Sequence, residues 1–110
     1  SGLMNFQDNL AALPPADHLA RIELVSSAGV VGVIENRPGS QGSVRIYQHL
    51  ALKHGGIDAA AAAEGLALYA EHGEDARLNP GKHPNIDRLF LILANDQHLA
   101  VRLVESLPAG

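Results

Sequence analysis

The chain contains no cysteine and no tryptophan. Without cysteine there are no disulfides, no thiolate metal sites, no iron–sulfur clusters and no cysteine nucleophiles. That composition suits a reducing compartment, so a cytoplasmic location is the expectation. Aromatic residues are few, at 4%. Phe6, Phe90, Tyr47 and Tyr69 are scattered, which argues against a base-stacking surface. Basic residues are also scarce: eight Lys and Arg stand among twelve acids, for a formal net charge of −4. A nucleic-acid binder shows a basic stripe, and none is visible, so no nucleic acid is expected as partner. No apolar run approaches the length of a membrane span, so no membrane partner is expected either.

What is present is a globular composition, 46% apolar over 110 residues. That is one domain by size, and long enough to bury a core without metal or disulfide support. The single domain is placed at 4–107. Ser1-Gly2-Leu3 precede Met4 and read as a remnant of expression cloning.

Asn5 can cap a short helix that Pro14-Pro15 stop near Leu13. From Leu19 to Val25, Ala20, Ile22 and Leu24 share one face and Arg21 and Glu23 the other, a strand pattern. Ser26 to Gly29 is a turn cluster and Val30 to Glu35 a β-branched second strand, which completes a hairpin. After a polar loop from Asn36 to Gly42, Ser43 stands at a cap position. Val44, Tyr47, Leu50, Ala51 and His54 follow at helical spacing, up to Gly55-Gly56. Asp58 caps the next helix, expected to run to about His72 and to stop at Gly73. Its interior Gly65 suggests either a close approach by a neighbour or nothing. Glu74 to Pro84 reads as loop. Asn85 and Asp87 favour a helix from Ile86 to Ala94, although the apolar run from Leu89 could instead pair as a strand. Asn95-Asp96 turns the chain into a last strand with Leu99, Val101 and Leu103 alternating. The predicted fold is α+β: a small antiparallel sheet, made of the N-terminal hairpin plus the C-terminal strand, with three or four helices packed on it. A sheet this small has exposed edges, and a homodimer is one remedy.

Three stretches could carry chemistry. Arg37 to Ser43 lies between a strand and a helix start. Its glycines, free N–H groups and Arg37 have the physics of an anion site, though no P-loop or Rossmann spacing. An ordinary connector explains it as well. Asn79-Pro80-Gly81-Lys82-His83-Pro84-Asn85 also opens a helix, is stiffened by two prolines and carries a Lys and a His. Asn79, Gly81, Lys82, His83 and Asn85, with Arg37, are therefore the candidate ligand-binding residues, and a rigid crossover is the plainer alternative. Third, Glu71-His72-Gly73-Glu74-Asp75 places three acids and a histidine at an expected helix C-terminus, where acids oppose the dipole. Arg77 would be a sufficient structural reason. As chemistry, His72, Glu74, Asp75 and His83 form a candidate metal set, although the spacing matches no zinc-enzyme motif. His49 and His54, five apart, are not expected to act as a pair. No catalytic residue is identifiable and no motif requires a cofactor.

The run from Glu64 to His72, continuing through Glu74-Asp75-Ala76-Arg77 to Asn79 and on to Asp87, resembles a family of short bacterial proteins catalogued only as a domain of unknown function. The resemblance covers nearly the whole native chain. It implies a bacterial, stand-alone protein of about this length and carries no activity, cofactor or site residue with it. The residues themselves point first to a binding module for a small anionic ligand or a protein partner through the 79–85 loop. The alternative is a small metal-assisted or acid/base enzyme.

Overall fold

Alternating residues from Leu19 onward fold back on themselves at Ser27-Ala28. In the computed structural model, which describes residues 4–108, β1 (Leu19–Ser26) and β2 (Gly29–Glu35) form an antiparallel hairpin. The C-terminal strand β3 (Ala100–Glu105) adds to the other side of β1, giving the order β2-β1-β3. Ile22 and Leu24 are fully buried and pair across with Ile34, Gly32, Leu103 and Val101, so this face meets the helices. On the opposite face Glu23 accepts from Arg21 at 2.9 Å and from Arg102 at 2.7 Å, and the second of these ties β1 to β3. The Arg21 hydrogen bond, then Arg102, holds the Glu23 carboxyl below its ordinary range. The register passes from Leu24↔Gly32 to Val25↔Val30, so Val31 is an extra residue bulged out of β2. That bulge leaves Val30 and Val31 both exposed.

Among the described residues there are five helices, α1 (Phe6–Ala11), α2 (Gln41–His54), α3 (Ala59–Tyr69), α4 (Glu71–Leu78) and α5 (Pro84–Asn95), of which α2 packs on β1 and β2. Asn5 caps α1 through the Asp8 N–H and Asp58 caps α3 through the Ala61 N–H, as expected. α3 lies between α2 and α5. Gly65 makes this possible. It is buried, and a Cβ there would stand 2.8 Å from Leu89 and 2.9 Å from Leu50. The run 89–94 is helix: Leu89 and Ile92 are fully buried on one side while Leu91 is exposed on the other. Leu99, expected to begin the last strand, makes an isolated bridge with Ile57 instead.

Several expected boundaries differ. α2 starts at Gln41, so Ser43 is inside its first turn and not its cap. Ser40 holds that position, and its hydroxyl donates to the Glu35 and Arg37 carbonyls. The helix expected to end at Gly73 is broken earlier, at Ala70, whose φ of 52° and ψ of −121° lie outside the helical region. The chain then restarts as α4 and stays helical to Leu78, where a loop was expected. The break turns Glu71 to accept from the Phe6 N–H at 2.8 Å and buries Gly73 and Ala76. Glu71 and Glu74 thus stand in the first turn of a helix, where acids are favoured, and not at a C-terminus. At α5 the cap position is His83 with Pro84 in the first turn, so Asn85 is not the cap. Among the described residues no helix is long and apolar enough to cross a membrane. Ser1 to Leu3 lie outside the described residues.

Candidate functional site

The turn between α4 and α5 is fixed at both ends by its own side chains. Asn79, at the end of α4, donates its amide to the Asp75 carbonyl and carboxylate. Gly81 takes a φ of 93°, a region glycine adopts without strain, and its N–H reaches the Asp87 carboxylate at 2.9 Å. Pro84 then sets the first helical φ of α5. Beneath the start of α5 the fully buried Tyr47 donates its hydroxyl to the Asn85 carbonyl at 2.6 Å.

This geometry brings Lys82 and His83 onto one carboxylate oxygen. Lys82 Nζ lies 2.8 Å and His83 Nε2 2.6 Å from Asp75 Oδ2. The Lys82 hydrogen bond, then His83, lowers the Asp75 pKa to about 2. The His72 ring stands 5.8 Å from that of His83 and meets the Phe6 ring edge-on at 4.6 Å. Phe6 also stacks on Tyr69, whose hydroxyl donates to Ser43 at 2.6 Å. Burial pushes the Tyr69 phenol above its ordinary range, so it serves as a donor and not as a base.

These groups border a half-open cleft of about 830 Å³. One wall is the α4–α5 turn, with Lys82, His83, Pro84 and Asn85. The other is the start of α2, with Gly39, Gln41, Gly42 and Ser43, and α1 closes one end through Phe6 and Leu10. Arg45 also lines it. Its guanidinium donates to the Leu13 and Pro14 carbonyls and forms no ion pair among the described residues.

The two loops singled out in the sequence therefore face one another across a single space. Of the candidate ligand-binding residues, Lys82, His83 and Asn85 line the cleft. Asn79 and Gly81 shape the turn without lining it, and Arg37 is exposed outside it. The candidate metal set does not assemble. Glu74 turns to Arg77, which holds both its oxygens at 3.0 and 2.6 Å, while Asp75 is engaged by Lys82 and His83. Among the described residues no three His, Asp or Glu side chains are placed to hold a metal ion. Arg45, Phe6 and Tyr69 were not singled out. Their place depends on how α1 and α3 pack against α2, for which the sequence carries no local signal.

A second charged cluster was also missed. Glu64 on α3 accepts from His49 Nε2 at 2.6 Å, His54 Nε2 at 2.9 Å and Lys53 Nζ at 2.9 Å, all on α2. The histidines do diverge around the helix. One carboxylate, using both oxygens, bridges them.

The chain was compared with known proteins. No curated protein and no solved structure matches it. A family model described as "uncharacterized protein conserved in bacteria (DUF2322)" matches residues 6–103, nearly the whole described chain, and the protein belongs to that family.

Proposed function

We propose that the protein binds a small anionic molecule in the cleft between the start of α2 and the α4–α5 turn. The observation that carries this reading is the lining: Arg45 and Lys82, with His72 and His83 beside them, stand against one lining acid, Asp17. The walls are held in place before any ligand arrives, by Tyr47 on Asn85 and by Asp87 on Gly81, which lowers the ordering cost of binding. Asp75 partly neutralises Lys82 and competes with a bound anion for it. Thermal unfolding in the presence of phosphate, simple carboxylates and nucleotides tests the proposal. A ligand-dependent rise in midpoint that Lys82→Ala diminishes supports it. No rise with any of them contradicts it.

One observation favours a second reading, a small acid/base enzyme: Asp75 orients His83 at 2.6 Å beside His72. Glu74, turned to Arg77, has no part in it. The two readings part at Asp75→Asn, which frees Lys82 for an anion but removes the group that orients the base. Metal analysis of protein purified without a histidine tag decides the metal-assisted form: stoichiometric zinc, manganese or iron favours it.

A further inference from the structure

The two edges of the sheet are not alike. β3 is guarded: Arg102 and Glu105 stand exposed along it, and Leu99, just ahead of it, is bridged to Ile57. β2 has none of this. From Gly29 to Glu35 it carries no lysine, arginine or proline, and its one charge is the last residue. Val30, Val31 and Val33 are exposed at 49%, 53% and 46%. The main chain is open as well. The Asn36 N–H donates to the Ala20 carbonyl, and such pairs alternate in an antiparallel ladder. Ile34 therefore also faces β1, while Val33 and Glu35 turn their main-chain groups outward. Among the described residues β1 is the sole strand beside β2, so the Val33 N–H and carbonyl and the Glu35 N–H have no strand to meet. The Glu35 carbonyl is already taken, by the Ser40 hydroxyl and the Arg37 N–H.

We propose that β2 pairs antiparallel with β2 of a second copy, about a two-fold axis at Val33, so that the two three-stranded sheets join into one. A strand is its own antiparallel complement under a two-fold, and the charges of this one select a register. With Val33 opposite Val33, each gives its N–H to the other's carbonyl, and Glu35 falls opposite a valine, Val31. A register centred on Ile34 needs the Glu35 carbonyl that Ser40 and Arg37 hold. One centred on Glu35 sets like charges face to face, and one centred on Gly32 brings together two Arg88 guanidiniums, each beside its own Gly32. The same fit favours a second copy over a foreign strand, because valines with a single charge at the end are what the complement must carry. Leu91 widens the apolar border: three residues on from Arg88, it lies on the same flank of α5 and is exposed. Three valines, one leucine and a strand edge from each copy fall short of the roughly 1,000 Å² of a permanent interface, so the dimer is weak and forms with concentration.

Sedimentation equilibrium from about 10 µM to about 1 mM, the range of a weak interface, tests the proposal. The average mass rises with concentration towards that of a dimer. Val33→Lys places a charge at the centre of the pair, on an exposed site opposite Glu23. It weakens association at least roughly tenfold while the circular dichroism stays that of the parent. Leu52→Lys, at an exposed leucine of α2, leaves association unchanged. Val33→Cys reads the register. The chain has no cysteine of its own, and Cα atoms in such a pair lie about 5.5 Å apart, within disulfide reach. That variant oxidises to a covalent dimer faster than Arg102→Cys on the other edge strand. A mass that stays monomeric to about 1 mM, an association that survives Val33→Lys, or equal oxidation of the two cysteine variants overturns the proposal.

Discussion

One carboxylate gripped by lysine and histidine occurs twice among the described residues, in two different surroundings. Glu64 is held by Lys53, His49 and His54; Asp75 is held by Lys82 and His83. Both acids have pKa values lowered to about 2, chiefly through the lysine hydrogen bond in each case. Both are partly exposed, at 24% and 35% of the side chain. What differs is the backing. Glu64 joins two helices already pressed together through Gly65 and does not line the cleft. Asp75 ties a turn to the end of a short helix, and its two partners are the residues that face the cleft. Cation–carboxylate clustering therefore does not by itself separate a helix clamp from the proposed ligand site. The surroundings of the partners do.

The comparison can be broken at the packing seam first. Gly65→Leu forces a side chain where only 2.8 to 2.9 Å separates a Cβ from Leu89 and Leu50. Overpacking of about 3 kcal/mol, offset by about 1 kcal/mol of helix propensity, leaves a net loss of about 2 kcal/mol. Denaturant unfolding measures it, and anion binding in the cleft survives. The hinge between the two regions gives an effect of the opposite sign. Ala70 sits at φ 52°, and Ala70→Gly relieves strain in excess of glycine's added chain entropy, a gain of about 1 kcal/mol on the same unfolding curve.

The clamp itself comes next. The folded pKa of Glu64 is about 2, below its ordinary 4.5. Its stabilisation is therefore complete above pH 4.5 and fades as pH falls towards 2. After allowance for solvent screening, Glu64→Gln costs about 1 kcal/mol at neutral pH and flattens the acid limb of a stability profile. An unchanged acid limb would show that the clamp is ornamental.

Much of the fold was legible because its signals were local. Alternation over Leu19–Glu35 marked the hairpin, Asp58 and Asn5 were true caps, and the contrast between buried Leu89 and exposed Leu91 resolves the ambiguous run as helix. What was not legible depended on distant contacts. Ala70 breaks a helix although alanine is the best helix former. The break goes with Glu71 meeting the N–H of Phe6, 65 residues away. Asn85 resembled a cap, but its amide oxygen is taken by Arg88 and its carbonyl by Tyr47. At the site, the 79–85 turn was recognisable from its prolines and titratable groups. Arg45 and Phe6 were not, since neither lies in a motif and both reach the cleft only through helix packing.

The most direct measurement is anion affinity in Asp75→Asn beside Lys82→Ala, read by calorimetry with inorganic phosphate at constant ionic strength. If the turn is an anion site with Asp75 as internal competitor, Asp75→Asn binds several-fold more tightly than the parent and Lys82→Ala several-fold more weakly. Equal affinity in all three proteins, or weakening in both variants, contradicts the central claim.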